Sequence, residues 1–159
     1  HQEARRQRQM CIRDSYRSRF FLPFLTTLTF LLASSANIVV DDNSWYQSIE
    51  KSSLTPAPYV FGIVWPILYL SMGVVSYYKS SKIYYLYLFQ LLLNGSWSWL
   101  FFYFNLPLIA LIDIYLLILI NCLIQQKLIT NKVLFFIYLP YLLWILYASY
   151  LNLIIVLLN

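Results

Sequence analysis

The sequence predicts an all-α integral membrane protein, a five-transmembrane-helix bundle with a long first extramembrane loop acting as a lid. Three observations carry that reading. Hydrophobic residues make up 61% of the 159 and charged residues 11%, where a soluble domain carries about 25% charged residues. Apolar runs close to the ~20 residues a spanning helix needs recur five times, at 20–40, 59–78, 83–104, 107–126 and 133–158. The runs are continuous and leucine-rich, whereas a transmembrane barrel would show short alternating segments.

The elements follow in chain order. Residues 1–18 include RRQRQMCIRDS, which reads as a non-native or disordered segment and is set aside. That leaves 19–159 as one membrane domain and removes Cys11, so Cys122 has no intrachain partner. Arginines followed by FFLPFLTTLTFLLASSA also have the arrangement of a secretory signal, an alternative reading of span one. Ala33, Ser34, Ser35 and Ala36 give span one a small-residue patch suited to close packing. The loop at 41–58 holds Trp45, Tyr46, Lys51, Thr55, Pro56 and Pro58, and its prolines and aromatics suggest a folded cap.

Span two carries Phe61, Trp65, Tyr69 and Met72 along one face. KSSK is expected as the loop to span three, whose Gln90, Asn94, Trp97 and Phe101 share a face by their spacing of four, three and four. NLP leads into span four and KLITNK into span five, where Pro140, Trp144, Tyr147 and Leu151 line up with Ala148 and Asn152 beside them. Links this short force neighbouring spans antiparallel. Pro23, Pro66 and Pro140 fall inside spans and bend them.

The net charge of +5 encodes topology, and no nucleic-acid partner is expected. Arg17, Arg19, Lys79, Lys82, Lys127 and Lys132 fall on one side, and Lys51 on the other beside Asp41, Asp42 and Glu50. The positive-inside rule makes the basic side cytoplasmic. The N-terminus is then inside and the C-terminus on the opposite side, with a bacterial inner membrane expected and an organellar one the alternative.

Asp113 is the one ionisable residue well inside a span, which marks either a functional site or a buried polar pairing, with Asn94, Ser98 or a tyrosine hydroxyl as partner. In this topology Trp65, Trp97, Asp113, Ala148 and Leu151 share the half of the bilayer beneath the loop. Aromatic walls, a few polar groups and a lid describe a pocket for a hydrophobic small molecule; the competing reading is aromatic core packing. The sole histidine is His1, so no triad, zinc site or histidine-ligated haem is supported. There is no glycine-rich phosphate loop and no carboxylate pair within the bundle. No metal site and no required cofactor are expected.

The stretch SWYQSIEKSSLTPAPYVFGIVWPILYLSMG resembles the first loop and second helix of the tryptophan-rich sensory protein family, also called the translocator protein or peripheral benzodiazepine receptor family. QLLLNGSWSWLFF is similar to its third helix and LPYLLWILYASYLNLIIVLLN to its fifth. The resemblance implies a five-helix bundle, often a homodimer, that binds porphyrins and other flat hydrophobic ligands beneath the first loop. The pocket positions it implies are Trp65, Tyr69, Asn94, Trp97, Ile109, Ala110, Asp113, Trp144, Tyr147, Ala148 and Leu151. Three functions follow as expectations: a porphyrin-binding membrane receptor, sensor or transporter; light- or oxygen-dependent porphyrin breakdown on pocket tryptophans; or a purely structural bundle. Some family features are missing. Lys51-Ser52-Ser53-Leu54 stands where Lys-Pro-x-Trp is usual, and Gly95 and Ile109 stand where tryptophans are common. Helix five has no basic residue to complete a cholesterol motif, and Trp99 follows Gly95 by four, so a small-xxx-small dimer motif is absent.

Overall fold

Proline sets two of the helix starts. The computed structural model describes residues 19–36 and 44–159, and these form helices without a strand. The helices are α1 (Arg19–Ala36), a one-turn α2 (Ser44–Ser48), α3 (Pro58–Ser98), a π-helix (Trp99–Tyr103), α4 (Pro107–Leu128) and α5 (Lys132–Leu158). Pro58 and Pro107 open α3 and α4, where a missing N–H costs nothing. At α5 the Asn131 side chain accepts from the Leu134 N–H at 3.2 Å, the usual amide cap. The sequence-based expectations for residues 1–18, and those for Asp41, Asp42 and the end of span one, lie outside the described residues.

Spans two and three are one element. The expected KSSK loop is replaced by helical backbone running through Lys79–Lys82. Helix and π-helix together cover 46 residues, which laid straight would reach about 69 Å, twice the bilayer core. The chain does not run straight: the Tyr69 hydroxyl donates to Asn94 Oδ1, though in a straight helix the two residues would be about 38 Å apart. α3 therefore doubles back at KSSK, and its two arms are the second and third crossings. With α1, α4 and α5 this gives the five-span bundle, an integral multi-pass membrane protein.

Away from the lid the bundle is filled. Tyr87, Tyr138, Tyr141, Leu117 and Ile124 are fully buried, and each tyrosine tip has a partner. Tyr87 shares a hydrogen bond with Thr26 at 2.7 Å, and Tyr138 donates to Asn121 Oδ1. Tyr141 accepts from Asn94 Nδ2 at 2.9 Å and donates to Gln90 Oε1 at 3.0 Å. In lipid, apolar contact alone does not drive helices together, so close packing and such bonds hold the spans. α1 joins through Trp99 Nε1, which donates to the Leu32 carbonyl at 3.0 Å. Gly95 faces it, and a Cβ there would make ordinary contact with the Thr29 methyl at 3.4 Å.

The third crossing ends by unwinding. The Phe104 N–H bonds five residues back to Trp99 O at 2.9 Å, and the Leu106 N–H reaches Leu100 O at 3.0 Å. Asn105, at φ 54°, takes the left-handed turn that asparagine tolerates at a helix end. π-turns of this kind concentrate at functional sites, and this one lies beside the cavity.

Candidate functional site

Beneath the lid the bundle opens into a cavity of about 860 Å³, within the range of small-molecule sites. The two arms of α3 supply facing walls: Phe61, Trp65 and Tyr69 from the first, Asn94 and Trp97 from the second. The π-helix adds Phe101 and Phe102, with Trp97 stacked on Phe101 at 5.2 Å and 17°. α5 adds Ala148 and Leu151, small and medium side chains that leave room between the rings. Pro66 cannot donate to the Gly62 carbonyl one turn back, and both residues border the void.

The lid is folded, as expected, and tied to α5. The Tyr147 hydroxyl donates to Leu54 O at 2.6 Å. The Asn159 amide accepts from the Glu50 N–H at 3.0 Å and donates to its carbonyl at 3.1 Å. Lys51 Nζ donates to the Tyr46 and Ile49 carbonyls, the latter at 3.1 Å, and lies 4.7 Å from the centre of the Tyr46 ring. Burial pushes the Tyr46 phenol above its ordinary value near 10, so it stays neutral at physiological pH. Tyr46, Lys51, Thr55 and Pro56 all border the cavity.

The sequence profile of the TspO/MBR family matches residues 19–158. The chain belongs to the TspO/MBR family. It is 37% identical over 123 residues to the tryptophan-rich protein TspO of Archaeoglobus fulgidus, covering 73% of this chain and 80% of that protein. The protein of the same name from Chlorobaculum tepidum is 35% identical over 129 residues, with the same coverage. That of Bacillus cereus is 30% identical over 120 residues, covering 70% of this chain and 78% of its own.

In this TspO/MBR chain Trp65, Tyr69, Asn94, Trp97, Ala148 and Leu151 meet around the void. The other expected pocket positions do not border it. Ile109 faces outward at 47% exposure, and Ala110 is fully buried against Phe101 and Ile155. Asp113 is 9% exposed between α4 and α3. Its Oδ1 accepts from Ser96 Oγ at 3.0 Å, in place of the expected Asn94, Ser98 or tyrosine, and its Oδ2 has no partner. Trp144 stands behind the wall, edge-on to Trp65 at 6.4 Å and to Phe61 at 5.7 Å. Tyr147 serves the lid, and Trp45 packs edge-on to Phe101 at 5.7 Å.

Sequence reasoning missed the contribution of α1. Phe30, Ala33 and Ser34 border the cavity, and Phe30 packs on Tyr69 at 5.0 Å. The small-residue patch is the available signal, although by itself it reads as helix packing. Asn152, expected beside the α5 face, also borders the void. With its amide turned so that both ends are satisfied, it donates to Pro107 O at 3.0 Å and accepts from the Leu111 N–H at 3.1 Å, pinning α5 to the first turn of α4.

Proposed function

We propose that this TspO/MBR protein is a membrane receptor, sensor or transporter that binds tetrapyrroles, porphyrins first among them, in the cavity beneath the lid. The observation that supports it best is the void itself. Trp65, Trp97, Phe61 and Phe101 present π-faces and edges around about 860 Å³, the surroundings in which a planar macrocycle gains stacking and dispersion. A bundle whose aromatics only packed against each other would have filled that space. By the positive-inside rule the lid lies on the extracytoplasmic face, opposite Lys79, Lys82, Lys127 and Lys132.

Titration of the purified protein with protoporphyrin IX, read by tryptophan fluorescence, tests the reading. Saturable quenching that weakens in Trp97→Ala is the expected result; an unsaturable signal, or one indifferent to that change, refutes it. A second reading, porphyrin breakdown under light and oxygen, draws on the Trp65–Trp144 pair at the wall. Illuminated complex should then lose porphyrin absorbance faster in the wild type than in Trp65→Phe, and equal rates dismiss it.

A further inference from the structure

Among the described residues bordering the cavity, Lys51 is the one ionisable side chain besides the phenols of Tyr46 and Tyr69. No carboxylate faces it there. The remaining polar groups, among them Gln47, Ser52 and Thr55 at the rim and Asn94, Ser98 and Asn152 in the walls, are neutral, and most of the rest of the lining is aromatic or aliphatic. Both hydrogen bonds of the Lys51 ammonium go to carbonyl oxygens, of Tyr46 and Ile49. Those bonds fix its position but cancel none of its charge. An ammonium carries three donors, so one remains unspent. Burial holds the Tyr46 ring beneath it neutral, so it supplies no counter-ion.

Such an arrangement has a sign. A hydrophobic cavity with a held cation at its mouth, and no carboxylate among the described residues that line it, raises the local potential there, and the low-dielectric walls focus it. Charge-assisted hydrogen bonds to a carboxylate are shorter and stronger than neutral ones. We propose that Lys51 is the specificity-determining residue of this site, selecting planar hydrophobic ligands that carry a carboxylate on one edge. That edge lies at the lid, while the apolar body is inserted between Trp65 and Trp97. This deepens the tetrapyrrole reading and rests on it. It also sets an order among flat apolar ligands: acids bind better than their neutral esters, and an uncharged polycycle has nothing to offer the ammonium.

The experiment compares protoporphyrin IX with its dimethyl ester, the same macrocycle without charge, on the full-length protein in uncharged detergent. Wild type is expected to prefer the diacid by about tenfold, the scale of one hydrogen bond to a charged group, and the preference should shrink as salt is raised. In Lys51→Gln the ratio of the two affinities falls towards one. Lys51→Arg, which keeps the charge, restores it even if Gln loosens the lid and lowers both affinities. A ratio in Lys51→Gln equal to that of wild type overturns the proposal, as does a wild-type ratio of one. Tight wild-type binding of both compounds without preference leaves the tetrapyrrole reading standing and removes only this one. Quenching by neither removes both.

Discussion

Towards the lid, the two arms of α3 set their aromatic rings around a void; towards the far end α3 and α5 meet through tyrosines and amides. The composition of the two regions is similar, and what differs is how the polar tips are spent. Tyr87, Tyr138 and Tyr141 each find a side-chain partner inside the bundle, which fixes ring positions and lets the core close. In the wall region, Trp97 and Trp144 have indole N–H groups with no hydrogen-bond partner, and the rings touch one another edge-on or stacked. A satisfied polar tip draws helices together in lipid, where the alternative is an unpaired group in hydrocarbon. Rings held by packing alone leave the spacing to the backbone.

That contrast can be broken from either side. The largest effect is expected at the junction, where Tyr141→Ala removes a fully buried ring and the partner of both Asn94 and Gln90. It should cost about 3–5 kcal/mol, measured by unfolding in detergent, and a loss below about 1 kcal/mol would mean that the far end is not the stabilising region. Next comes Trp97→Ala. It should lower porphyrin affinity about tenfold while disturbing stability less than Tyr141→Ala, because its ring borders the void. Tyr69→Phe, at the boundary, should cost about 1 kcal/mol for the bond to Asn94, read from the same unfolding curves. The smallest effect, and a change of sign, belongs to Gly62→Ala. A Cβ there meets nothing within 4 Å, so the helical preference of alanine should raise stability by about 0.5–1 kcal/mol. Thermal melts of the ligand-free protein check it, and a lower melting temperature would show that the space is already taken.

The same contrast explains what could be read in advance. Five crossings were legible because a bilayer demands long apolar runs, and the third-span face was legible because Gln90 and Asn94 must point inward. α5 was harder. Its buried face runs Tyr138, Tyr141, Ile145, Ala148, Asn152 and Ile155, while Pro140, Trp144 and Tyr147 have equally helical spacing one step around, on a stripe of which only Leu151 is buried. In a soluble helix polarity would choose between the two stripes; here lipid is as apolar as the core, and only Asn152 and the tyrosine tips told them apart. The turn at KSSK reads as a loop because its serines and lysines look like a linker, while its helical backbone answers to the packing of the two arms. Ile109 was placed in the pocket by resemblance alone, and nothing about an isoleucine in an apolar helix says which way it faces.

The turn through Lys79–Lys82 has a consequence for how the walls are kept level. Trp65 precedes it, and Trp97 follows it, by almost the same number of residues. With no slack between the arms, the hairpin acts as a ruler whose two scales share one origin. Adding a single residue to either arm between turn and tryptophan would lift that ring by about 1.5 Å and swing it by about a quarter-circle. The jaws would then meet out of step, although each helix on its own would remain intact.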